Sequence, residues 1–115
     1  MERVNPIILR NQETGAAQYT LEFDRKSVKW AEQRGFKVGE VTDFPLTQIP
    51  LLFFYAFRMH HKNITQDQTD AVLEEIGGMS KAMMNRLAAL YNQTMTTLLN
   101  DEEEEVKNGK YAVEL

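Results

Sequence analysis

The stretch IPLLFFYAFRMHH, Ile49–His61, decides how the rest of the chain is read. Its first nine residues, Ile49–Phe57, carry no charge in a chain that is 26% charged. A transmembrane helix needs about 20 apolar residues. This run has nine and then meets Arg58, so a membrane span is excluded. Placed on a 3.6-residue wheel, Ile49, Leu52, Phe53, Ala56, Phe57 and Met59 share one broad face, the expected core face. Leu51, Phe54 and Tyr55 fall opposite, and Arg58, His61 and Lys62 extend that second face by a turn. A surface helix needs only one apolar face. Two faces mean either the central helix of a small bundle or a helix whose second face meets another molecule.

Outward from this segment, the flanking sequence is well punctuated. QYTLEF, Gln18–Phe23, alternates strictly: Tyr19, Leu21 and Phe23 point one way, Gln18, Thr20 and Glu22 the other. IILRN can pair with it across QETGAA, where Gly15 supplies a positive φ, so residues 7–23 read as a hairpin. Asp24 is an N-cap, with Phe23 and Val28 placed for a hydrophobic staple. Gly35 suits the left-handed end of that helix, with Phe36 folding back towards Ala31. Arg25 and Lys26 in its first turn oppose the helix dipole. KVGEVTDFPLTQ reads as a loop, with Thr47 capping the apolar helix and Pro50 inside its first turn. Thr65 and Gln68 form a capping box, and that helix ends at Gly77-Gly78. Ser80 caps a last helix whose stripe is Met83, Met84, Leu87, Leu90, Tyr91, Met95 and Leu98. Its back, from Ala82 to Thr96, carries no charge, which suits contact between helices.

These signals predict an α+β domain, mainly helical, with an N-terminal hairpin and helices near 24–34, 47–62, 65–76 and 80–99. Residues 1–100 form this single domain. Residues 101–115 form an acidic tail, whose KYAVEL end alternates and offers a short C-terminal strand. The five acids from Asp101 to Glu105 lack the alternating ligand spacing of a calcium loop and read as a solvated segment.

The 115-residue chain has no cysteine, hence no disulfide framework and no thiolate zinc site, and is expected in a reducing cytoplasm. MERVNPIILRNQE turns polar too soon for a secretory leader. His60 and His61 are adjacent, as are Glu74 and Glu75, and neighbours on a helix do not face one direction. No phosphate loop and no nucleophile elbow occurs. An enzyme is not expected, nor a metal or cofactor. TQDQTDAVLEEIGGMSKAMMNRLAALY, residues 65–91, has the outline of a helix-turn-helix with Lys81, Asn85 and Arg86 early in its second helix. The formal charge of −4 argues against nucleic acid as the partner.

The order of YTLEFDRKSVKWAEQRGFKVGEV, IPLLFFYAFRMHHKNITQDQTD and LEEIGGMSKAMMNRLAALYNQ resembles the tail assembly chaperones of long-tailed phages, in particular small proteins from phages and prophages of Gram-positive bacteria. Phe23, Asp24, Glu32 and Gly35 match a strand running into F-D-x-x-x-x-x-x-E and a helix ending at glycine. Thr65 and the Val72-Leu73 pair match the later helix, and the likeness covers roughly residues 19–99. It implies a non-enzymatic, self-associating, mainly helical protein of the host cell cytoplasm that binds the tape measure protein while the tail tube assembles. On that reading, Leu51, Phe54, Tyr55 and Arg58 are the expected partner-binding residues on one helix, with Met83 and Met84 as adaptable contacts on another.

Overall fold

The computed structural model describes residues 3–96 and Glu114. Two strands, β1 (Ile7–Arg10) and β2 (Ala17–Leu21), precede four helices: α1 (Arg25–Gln33), α2 (Pro45–Phe57), α3 (Gln66–Glu75) and α4 (Lys81–Thr96). A single 3₁₀ turn, Val38–Glu40, lies between α1 and α2. The fold is α+β and mainly helical, as the sequence patterns predict. The end of the expected last helix, its Leu98, the acidic run and the expected KYAVEL strand lie outside the described residues, apart from Glu114.

β1 and β2 are antiparallel, pairing Ile7 with Leu21 and Leu9 with Tyr19, with an irregularity after Leu9. Their turn is held by Asn11, whose side-chain oxygen accepts from the Glu13 and Thr14 amides, and Gly15 supplies φ 73°. The helix ends follow the local code closely. Asp24 accepts from the Ser27 amide at 2.7 Å, and Ser27 Oγ accepts from the Asp24 amide at 2.9 Å. This reciprocal box satisfies two donors that a helix start leaves unpaired. At the other end of α1, the Gly35 amide donates to Glu32 O and the Phe36 amide to Ala31 O, a Schellman motif built on Gly35 at φ 91°. Thr65 and Gln68 cap α3 in the same reciprocal way, and Ser80 Oγ accepts from the Met83 amide to start α4.

α2 departs from expectation at both ends. It begins at Pro45, not Thr47, because proline at the first helical position is pre-set for the helix and has no amide to leave unpaired. Pro50 therefore lies inside the helix. Its missing N–H leaves the Leu46 carbonyl without its helical donor, and Leu46 is the most exposed large apolar residue among those described. α2 ends at Phe57, short of the expected Lys62, and residues 58–60 continue as a turn.

The core joins all of these elements. Leu21 and Phe23 come from the hairpin and its exit, Val28 and Ala31 from α1, Leu52, Phe53, Ala56 and Phe57 from α2, and Leu87, Leu90 and Tyr91 from α4. The Phe23, Phe36 and Tyr91 rings meet edge-on, Tyr91 lying 5.1 Å from Phe23 and 5.9 Å from Phe36. Burial, reinforced by the Glu32 charge, pushes the Tyr91 phenol up to about 12. Met83, Met84 and Met95 line the margins of the same cluster.

Leu87→Ala is expected to cost about 2–5 kcal/mol, since the side chain is fully buried and its loss leaves a cavity. Asn92→Ala, on the exposed back of α4, should stay within about 0.5 kcal/mol. Urea denaturation of the two variants checks the face assignment; equal losses would contradict it.

Candidate binding surface

The structure resolves the two apolar faces of α2. Tyr55, expected on a contact face with Leu51 and Phe54, is only 3% exposed, and that expectation is corrected. Its ring lies 5.1 Å from Phe36 and 5.5 Å from Trp30. Phe54 is half-buried against Trp30 at 5.8 Å, and Leu51 is half-buried as well. The second face is thus covered by α1 and the segment that follows it, and α2 is a central helix. A helical wheel locates a second face but not the element that covers it.

Arg58 keeps a surface role. Its guanidinium lies over the Trp30 ring at 4.4 Å, and Nη1 donates to the Lys62 carbonyl at 2.7 Å. Arg34 also lies over Trp30, at 4.7 Å. Met83 and Met84 are half-buried on α4 and packed against the core margin. With Tyr55 buried and the others half-buried, the six expected residues do not form one exposed patch.

Large apolar side chains reach solvent elsewhere. Phe44 is 59% and Leu46 92% exposed, both at the start of α2. Sequence patterning missed them because DFPLTQ reads as a polar loop, although the Phe-Pro-Leu triplet is itself apolar. Beside them, Gln48 Oε1 is buried with no hydrogen-bond partner among the described residues.

The other unexpected feature is a polar cluster where α2 meets the hairpin. Glu22, read as outward-facing, is buried, its side chain only 6% exposed. Its carboxylate pairs with Arg3 and with His60 Nε2, each at 2.9 Å. The neighbouring His61 does something different: its Nε2 accepts the Thr20 amide at 3.0 Å. An acceptor nitrogen carries no proton, so His61 is neutral with its hydrogen on Nδ1. Adjacent histidines serve separate partners because the chain has left the helix at Phe57. Among the described residues no group of three His, Asp or Glu side chains is arranged to hold a metal ion. No helix among them is long and apolar enough to cross a membrane.

The protein is thus a small, mainly helical α+β domain built around a central helix that packs on α1, α3, α4 and β2. The chain belongs to the family described as "Domain of unknown function (DUF5055)", whose model matches residues 5–115. No curated protein and no solved structure matches it.

Burial, then the nearby His60, lowers the His61 pKa below its ordinary 6.5. Neutral His61 is therefore favoured in the folded state. Its contribution to stability is present above the unfolded value and is lost as pH falls through the folded one. In urea melts, stability should drop as pH falls below the ordinary histidine value of 6.5, and His61→Gln should show a smaller drop. An unchanged pH dependence in that variant would assign the effect to other groups.

Proposed function

We propose that the protein is a non-enzymatic tail assembly chaperone of a long-tailed phage, binding the tape measure protein in the host cell cytoplasm during tube assembly. The observation that carries the proposal is the apolar tip of α2, Phe44 and Leu46, held in water by an otherwise well-packed domain. Burying a leucine or phenylalanine side chain is worth roughly 1.5–3 kcal/mol, so a partner that covers this tip gains affinity from it. Met83, Met84, Leu51 and Phe54 at the core margins add adaptable apolar contacts. The net charge of −4 keeps such a complex soluble. No bond is made or broken in this role. The resemblance of residues 19–99 to the phage chaperones supplies the identity of the partner, a long helical chain that needs escorting. Self-association through the same tip is part of the proposal.

The rival reading, a DNA-binding regulator using residues 65–91, fits the packing less well. α3 packs on α2, whereas α4 packs on α1, α2 and β1. A helix-turn-helix presents its second helix as an exposed reader, and α4 is fixed in the core through Leu87, Leu90 and Tyr91. Arg86 is engaged with the Asn5 carbonyl.

Leu46→Asp tests the proposal with little risk to the fold, because the side chain is 92% exposed. The variant should keep its thermal midpoint and helical circular dichroism. In co-expression with the tape measure protein it should lose capture of that protein and its own oligomers by light scattering. Retention of both would place the contact elsewhere. Salt-sensitive retention on duplex DNA by the unaltered protein would favour the regulator.

A further inference from the structure

A second surface, at the opposite end of α2, has a different character. A cleft of about 420 Å³ lies between the start of α1 and the turn after α2, lined by Lys26, Trp30, Arg58 and Lys62 among others. None of these three cations forms an ion pair with another described residue. The one carboxylate at the cleft, Asp24, is engaged in capping α1. The cleft is thus cationic in a chain of net charge −4.

We infer that this cleft docks an acidic peptide segment of a partner protein. The inference stands apart from the tape measure reading, which rests on the other end of α2. Three features support it. Arg58 is pre-organised: stacking on Trp30 and the bond from Nη1 to Lys62 O fix its plane, while its remaining N–H donors have no partner among the described residues. A fixed, planar guanidinium loses little freedom on binding a carboxylate and can bind it in a two-pronged fashion. Lys26 sits in the first turn of α1, where a cation opposes the helix dipole, and an arriving carboxylate relieves that conflict. Lys62, exposed and also lining the cleft, adds a further positive charge. Size and charge decide the kind of anion. The cleft admits a few carboxylate side chains, whereas duplex DNA is held by many phosphate contacts along a basic stripe, which an acidic chain does not offer.

The probe is a fluorescein-labelled peptide of alternating glutamate and serine, titrated with the full chain and followed by anisotropy. Binding should weaken as salt rises. Lys62→Glu should weaken it about tenfold, as expected for reversing an exposed cation that faces several carboxylates. Arg58→Lys keeps the charge but loses the planar fork, and should also weaken binding. Lys81→Glu, an exposed cation at the start of α4, should leave it within twofold, about 0.4 kcal/mol. Equal losses for Lys62→Glu and Lys81→Glu would overturn the inference, since they would reflect net charge alone. Equally tight binding of a duplex oligonucleotide would overturn the peptide assignment. So would a more than tenfold gain when Glu102, Glu103, Glu104 and Glu105 are replaced by glutamine, for then the chain's own acidic run is the occupant.

Discussion

The rest of the structure depends on the meeting of a strand edge with a helix end. A two-stranded hairpin is marginal in water, and its outer edges present unpaired amides. A helix ends with carbonyls that have no amide to accept from. Here the two deficits cancel. The Glu22 amide donates to the Ala56 carbonyl at 3.0 Å, and two residues earlier the Thr20 amide donates to His61 at 3.0 Å. Residues two apart on a strand present their amides to the same side, so β2 is closed along one edge by the end of α2 and the turn after it. This docking buries Glu22, and the buried carboxylate is then paired with His60 and Arg3, since an unpaired one would be costly. It also lays the Tyr19 ring against both Phe57 and His61, each at 5.3 Å.

With β2 anchored, the chain leaves it directly into Phe23 and the Asp24 cap, which sets the direction of α1 across α2. Trp30 and Phe36 are thereby carried over Tyr55 on α2. The result is a continuous set of edge-on and tilted rings running from Trp30 through Tyr55 and Phe36 to Tyr91 and Phe23. Such contacts add about 0.5–1.5 kcal/mol each beyond burial, and they bury Tyr55 while leaving Leu51 and Phe54 half-buried. Exposed apolar side chains stand at its start, and a cleft lined by Lys26, Arg58 and Lys62 lies at its other end.

What was legible in the sequence was what is settled within a few residues. The Asp24 and Thr65 caps, the Gly35–Phe36 reversal, the Gly77 stop and the alternation of β2 each rest on local hydrogen bonds or on a backbone angle only glycine accepts readily. The stripe of α4 was legible because Leu87, Leu90 and Tyr91 repeat at helical spacing. The burial of Tyr55 and Glu22 was not, because each depends on a partner far along the chain: Trp30 and Phe36 for one, Arg3 and His60 for the other. Of the six residues expected to bind a partner, the structure makes Tyr55 core, leaves Leu51, Phe54, Met83 and Met84 at the core margin, and keeps Arg58 at the rim of a cleft. The start of α2 was misplaced for a local reason. Pro45 and Thr47 are both acceptable starts, and the earlier one draws Phe44 and Leu46 to the tip.

That tip and the cleft differ in what holds them. Pro45 and Pro50 each fix φ near −65°, so the first turns of α2 are stiff although little packs around Leu46. Stiffness at an exposed apolar site lowers the entropy lost when a partner covers it. The cleft is stiff for another reason, since Arg58 is clamped between a ring and a carbonyl. Both ends of α2 are thus ordered in advance of any contact, by backbone restriction at one and by stacking at the other. A partner that spans the helix would meet apolar surface first at one end and positive charge at the other. Its orientation along α2 would then be set by its own polarity, because reversing it would place carboxylates on Leu46 and leave Arg58 and Lys62 unpaired.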